Sequence, residues 1–387
     1  MRSLVLSAVL LSALILLVGN TIQACPFCSA PSLTLTEQLN SSQAAVLVQW
    51  KGGKPANLDE GFAGTTEYEV IRVVHDSTSK IKSGELLTLD RYRAGKPGDL
   101  FMLLGTATEK IEWSSPLEVT ETSFNYVAQA PTKEAPTTER LAYFLKFLEY
   151  PDSLIANDAF AEFANAPYAD IVPLREKFPR EKLLAWLSNP QTNPTHIGLY
   201  GLMLGLCGKP DDVAFLEKKI TEPTQEFRLG IDGVMAGYLV LTGSDGLNLL
   251  QKEKLSRRDV PFSETFAAMQ ALRFMWTYGD QRIAADDLRK GMRVLLERPN
   301  LADLVIVDLA RWNDWGVMGK LVSMYNEEEY NVPSIKRAIV RFLMIAEKAK
   351  EDSGITTDQQ ELAKKSLAML READPKTVKA AEKYFFD

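Results

Sequence analysis

The residues with the most chemistry per unit length are Cys25-Pro26-Phe27-Cys28. Two thiols at this spacing can cycle between dithiol and disulfide, supply half of a tetrahedral zinc site, or close as a local structural bridge. A redox centre of the thioredoxin kind needs the pair to follow a strand and open a helix, whose N-terminus lowers the thiol pKa. No strand pattern precedes Cys25 and no βαβ pattern follows it. A zinc site needs two more ligands, and the other candidates, His75, His196 and Cys207, are all distant in sequence. A further chemistry is lipidation of Cys25, because Ile22-Gln23-Ala24 puts a small residue before the cysteine, although Gln23 departs from the usual pattern. These readings stay open at this point, a structural disulfide in an oxidising compartment being the simplest.

What precedes Cys25 bears on that choice. Arg2 is followed by an uninterrupted apolar run, Leu4 to Val18, then by Asn20, Thr21, Gln23 and small Ala24. This is the layout of a secretory signal peptide over residues 1–24, cut between Ala24 and Cys25. The run is shorter than the roughly 20 residues of a spanning helix. The expectation is an extracytoplasmic protein, whether secreted, periplasmic or envelope-associated, that meets a membrane only if Cys25 carries a lipid. With Cys25 and Cys28 paired, Cys207 in Leu202–Gly208 is left over and reads as a small buried hydrophobe.

Elsewhere the chemistry is sparse. His75 ends an alternating segment beside Asp76, with no nucleophile motif near it. His196 follows Asn193-Pro194-Thr195, where a capping or packing role is expected. Trp312 and Trp315, with Arg311 and Asp314, form the one aromatic and charged cluster that would suit a partner surface, although tryptophans at helix junctions commonly belong to the core. The net charge of −7 provides no basic footprint for nucleic acid. The densest basic run, Lys252 to Arg258, is interleaved with Glu253. Glu327 to Glu329 read as a solvated face. There is no phosphate loop, dinucleotide fingerprint, zinc-protease motif or EF-hand, so neither a cofactor nor a catalytic residue is assigned and a non-enzymatic role is expected.

The elements that must position these residues change character near Pro131–Thr138. Before it, Ala45–Trp50, Thr66–His75, Leu86–Tyr92, Leu100–Leu104 and Leu117–Val127 alternate or run apolar between turn signals such as Gly52-Gly53 and Gly95-Lys96-Pro97-Gly98. They predict a small antiparallel barrel over residues 25–130, with Val46, Val48, Val70, Val73, Leu87, Leu89, Phe101 and Leu103 inside. A short helix capped by Ser32 or Thr34 precedes the first strand. Residues 131–138 are a linker by composition. From 139 to 387 only helical periodicity is visible, as in Leu141, Phe144, Leu145 and Leu148. Helix ends recur at Gly208, Gly243, Gly279 and Asn313, in steps of 35, 36 and 34 residues. The fold class expected is therefore α+β and multidomain, an antiparallel β-barrel followed by an all-α solenoid of helical hairpins.

Two resemblances follow from these residues. Cys25 and Cys28 ahead of a compact strand, then Tyr68-Glu-Val-Ile-Arg-Val-Val and Gly98-Asp-Leu-Phe-Met-Leu-Leu-Gly105, resemble the netrin/TIMP-type OB-fold module from Cys25 to about Val127. The family opens with Cys-x-Cys and carries later stapling cysteines; this chain opens with Cys-Pro-Phe-Cys and has none between Cys28 and Cys207. The resemblance thus implies an OB-like barrel and not the family's chelation of a protease zinc. The helical part resembles HEAT or armadillo repeats, which implies an extended concave surface for a protein partner. The whole chain resembles a secreted bacterial protein. The function expected is an exported, non-enzymatic interaction or scaffold protein. The alternative is an extracytoplasmic thiol-redox or metal-chelating protein using Cys25 and Cys28.

Overall fold

A computed structural model describes residues 25–28, 33–57, 59, 61–107 and 110–383. The expected signal segment, residues 1–24, and Ser32 lie outside them. The chain is α+β, an antiparallel sheet followed by helices, and forms two compact units that part between Phe178 and Pro179.

The first unit is built on six strands: β1 (Ala44–Lys54), β2 (Thr65–Asp76), β3 (Leu86–Leu89), β4 (Leu100–Ala107), β5 (Ile111–Trp113) and β6 (Leu117–Val119). Their order is β3-β2-β1-β4, and the outer edge of β4 is shared by β5 and β6. β1 pairs Val46 with Leu103 and Val73, and Val48 with Phe101 and Val70. Because side chains alternate along a strand, this register puts Val46, Val48, Val70, Leu89, Phe101 and Leu103 on one buried face, joined by Tyr68. Val73 and Leu87 pack there only partly buried.

The sheet is open, a correction to the expected barrel. β3 has four residues and β5 and β6 three each, so the edges are too short to meet. A second correction concerns Leu117–Val127. Only Leu117–Val119 is strand; Glu121–Ala128 is helix, because Thr120 accepts the Ser123 amide at 3.0 Å and Ser123 returns the bond in a capping box. Helices cover the sheet's other face, where the Arg72 guanidinium lies 4.4 Å over the Phe124 ring and bonds Asn125. The helices Thr137–Phe144, Ser153–Asn165 and Tyr168–Ile171 also belong to this unit. Its limit therefore falls beyond Pro131–Thr138, and Ser153–Asn165 makes buried polar contacts with Leu35 and Thr36.

Every regular element among the second unit's described residues is a helix. Gly208, Gly243 and Gly279 directly follow the helices Ile197–Cys207, Ile231–Thr242 and Phe262–Tyr278, and Asn313 stands two residues past Pro299–Arg311. Only Gly243 (φ 62°) and Asn313 (φ 53°) are left-handed. Gly208 is extended and Gly279 helical, so these four ends share a place in the chain but not a conformation. Ile197–Cys207 packs on Ile231–Thr242, that on Phe262–Tyr278, and Pro299–Arg311 on Pro333–Lys348.

The first of these contacts is backbone against backbone. A Cβ on Gly237 would fall 2.0 Å from the Gly201 carbonyl oxygen, and one on Gly205 would fall 2.2 Å from that of Gly237. Gly237→Ala is therefore expected to destabilise the protein by several kcal/mol, about 3 or more, because backbone must move. Gly319→Ala, with nothing within 4 Å of its added methyl on the exposed side of Met318–Met324, should stabilise by roughly 0.5–1 kcal/mol. Urea denaturation of both variants measures the opposite signs.

Candidate functional site

The structure closes Cys25 and Cys28 as a disulfide, with Cα atoms 5.5 Å apart. Cys25 is 4% exposed, and its amide donates to the Ala164 carbonyl at 3.0 Å, at the end of the Ser153–Asn165 helix. The bridge thus seats the start of the described chain against that helix. A sulfur in this bond cannot also carry a lipid, and a bridged pair offers no metal ligand. Among the described residues no three His, Cys, Asp or Glu side chains gather to hold a metal, and no helix is long and apolar enough to cross a membrane.

The same helix carries two carboxylates that sequence reading missed, Asp158 and Glu162, one turn apart and buried. Asp158 accepts the Leu35 amide at 2.6 Å and the Tyr126 hydroxyl at 2.8 Å. Glu162 accepts the Thr36 hydroxyl and, at 2.7 Å, the Arg140 guanidinium. The helix Leu35–Ser41, capped by Thr34 and Glu37 in a reciprocal box, is latched by these bonds to residues more than a hundred positions away. Its capping signal was legible; the latch was not, because Asp158 and Glu162 look like ordinary helix-surface acids until Tyr126 and Leu35 are brought to them.

Burial pushes the Asp158 carboxyl up to about 6, against the two hydrogen bonds that pull it down, with Glu162 and Glu37 adding like charge. Burial and the charge of Asp158 likewise hold Tyr126 protonated, so its hydroxyl remains a donor. Asp158 also forms part of a cleft of about 410 Å³ with Leu35, Met102, Leu104, Leu117 and Leu154. Its oxygens are engaged with the backbone and the phenol, so the arrangement holds a segment in place and presents no poised base.

The other sequence candidates separate. His75 sits at the end of β2, with Nε2 2.9 Å from the Ser42 carbonyl oxygen and 3.3 Å from its hydroxyl. His196 is buried at the start of its helix, with Nδ1 3.3 Å from the Tyr200 hydroxyl. Of the aromatic cluster, Trp312 and Trp315 are each 4% exposed and Asp314 2%. Trp312 stacks on Trp276 at 4.4 Å, the Trp315 indole donates to the Ser353 carbonyl, and Asp314 pairs with Arg293. Only Arg311, its side chain 72% exposed, faces solvent, so the four do not make a common surface: the indoles repay the helix junctions with packing. Cys207 is a free thiol raised to about 11 by burial and by the charge of Asp212, hence protonated and unreactive at neutral pH.

In the second unit the buried acids are matched by cations from a neighbouring segment. Arg180 bonds Asp212 at 2.7 Å and Arg273 bonds Asp308 at 2.7 Å. Glu264 is held by Arg228 at 2.6 Å and by buried Lys254 at 2.7 Å. The first and second of these arginine pairs span 32 and 35 residues and the Arg228 pair 36, close to the period of the helix ends.

Compared with family models, curated proteins and solved structures, the chain has no match in any of the three.

The latch predicts a pH signature. Asp158 binds its proton more tightly folded than unfolded, so between about pH 4 and about pH 6 the folded state holds more protons and its stability falls as pH rises through that window. Asp76, pulled up by burial but held at about 2 by the Ile81, Thr78 and Lys80 amides and the Thr78 hydroxyl, acts in the opposite sense: its contribution is present above the unfolded carboxylate pKa and lost as pH falls. The difference between the protein and Asp158→Asn isolates the one group. Relative to that variant, the protein should lose on the order of 2–3 kcal/mol between pH 4 and pH 7, read from denaturant midpoints at several pH values.

Proposed function

We propose that this is an exported, non-enzymatic interaction protein, whose stacked helical hairpins act as a HEAT-like solenoid presenting an extended surface to a protein partner, with the open sheet as an OB-like module at its start. The observation that supports this reading is a set of three arginine–carboxylate clamps, each bridging 32 to 36 residues, close to the step between helix ends: Arg180–Asp212, Arg228–Glu264 and Arg273–Asp308. Arg180 and Arg273 reach out from helices and Arg228 from the loop before Ile231–Thr242, each to an acid on a later segment. Arg180 and Arg228 meet their carboxylates with two parallel bonds, while two Arg273 nitrogens share one Asp308 oxygen; a parallel pair fixes angle as well as distance, which a one-dimensional array needs if its surface is to keep one shape. Export is supported by the Cys25–Cys28 bridge, a bond that persists in oxidising compartments, and by the layout of residues 1–24. The burial of Cys25 speaks against the redox alternative, which needs an accessible sulfur.

Protein recovered outside the cytoplasm should have the mass of residues 25–387 and titrate a single thiol, Cys207, when unfolded without reductant. Immobilised and exposed to its native envelope fraction, it should retain the same partner as its His75→Asn and His196→Gln variants. Retention of the full-length chain in the cytoplasm overturns the export reading. A folded histidine variant that abolishes an activity of the wild type overturns the non-enzymatic one.

A further inference from the structure

In the second unit a groove of about 600 Å³ opens between the helices Val213–Thr221, Ile231–Thr242 and Ser244–Leu250. Val213, Leu241 and Leu249 form its apolar wall; Glu217 and Asp245 supply two carboxylates; Tyr238 lies between the walls. The Tyr238 hydroxyl donates to Glu217 at 2.7 Å. Burial first, then the bond and charge of Glu217 and the charge of Asp245, raise this phenol's pKa, so both acids act on one spot.

These two carboxylates differ from the four buried acids of the unit. Asp212, Glu264, Asp308 and Asp314 each have an arginine within hydrogen-bond distance. Among the described residues Glu217 bonds a neutral phenol and Asp245 has no cation at ion-pair distance. The single cation on the lining, Lys252, turns to Glu253 at 3.2 Å with its side chain 79% exposed. The groove therefore offers an apolar track that ends in uncompensated negative charge. The complementary shape is a lysine or arginine side chain, whose methylene stem packs on leucine and valine while its head meets carboxylate.

We propose that this groove binds a basic peptide segment of the protein partner, an arginine or lysine flanked by apolar residues. The inference rests on the interaction reading and names the chemistry of the partner. The probe is fluorescein-labelled acetyl-leucyl-arginyl-leucine amide, titrated into the purified mature chain by fluorescence polarisation, with the glutamyl analogue as control. The arginyl peptide should bind and the glutamyl peptide should not. Raising salt from about 50 mM to about 500 mM should weaken binding severalfold, because the contact is a charge pair near solvent. The double variant Glu217→Gln, Asp245→Asn should lose binding at least tenfold while keeping its melting temperature. Lys252→Glu, which adds an acid to the rim, should tighten binding severalfold; this gain of affinity does not arise from a folding defect. No binding of the arginyl peptide, or equal binding by the double variant, overturns the proposal. Both outcomes are read on purified protein without any cellular partner, so they leave the array reading standing, and a failed envelope capture leaves the peptide result standing.

Discussion

A carboxylate taken out of water must be given donors, and much of this fold follows from where those donors come from. In both units they come from afar. Asp158 and Glu162 draw on Leu35, Thr36, Tyr126 and Arg140; Asp212, Glu264 and Asp308 draw on arginines 32, 36 and 35 positions earlier. Removing one partner strands the other charge, at a cost of about 3–5 kcal/mol, which is a large share of the stability of a typical domain. Apolar packing alone would let hairpins slide and tilt, since leucine against leucine is tolerant of small shifts. The clamps are not tolerant, and for this reason we assign them the setting of geometry rather than the bulk of the stabilisation.

Within the second unit, neighbouring helices pack in different ways. Between Ile197–Cys207 and Ile231–Thr242, glycines bring backbone onto backbone. Between Phe262–Tyr278 and Pro299–Arg311 the join is made by Trp276 stacked on Trp312 and by the Arg273 bond to Asp308. The helix spacing is thus set pair by pair, from side chains of very different size, and the near-constant period of the sequence does not impose one uniform distance.

Much of the secondary structure was legible because it depends on neighbours in sequence. The apolar run around Val46 and Val48 and the alternation around Val70 marked the strands, and Thr34 with Glu37 marked a helix start. Gly208, Gly243, Gly279 and Asn313 marked helix ends. Tyr68 could have been found, since it alternates with Val70 on the same strand. Thr120 with Ser123 could have shown the helix that replaced an expected strand. β5, three residues long, is too short to carry a period. The openness of the sheet was not legible, since closure depends on whether edges meet in space. Nor were Asp158, Glu162 and the groove at Glu217 and Asp245, because an acid on a helix reads as solvated until the fold decides what covers it. Trp312 and Trp315 drew attention through residue type, and their burial turns them from surface to core.

Cys207 gives the odd thiol count a bearing on how the chain matures. Expected as a small buried hydrophobe, it is only half-buried, and that cover exists only once Ile197–Cys207 has packed. Before that, if the chain folds in the oxidising compartment we propose for it, three thiols compete for two places. A bond between Cys25 and Cys28 closes a very short loop, and such ends collide far more often than partners separated by most of a domain. Emergence from the N-terminal side also presents that pair first. The correct bond therefore has priority in time as well as in proximity, and the later folding of the helices half-buries the remaining thiol and keeps it protonated, which slows its exchange. Slow folding of the second unit, rather than weak pairing of the first, would be the route to scrambled or cross-linked chains.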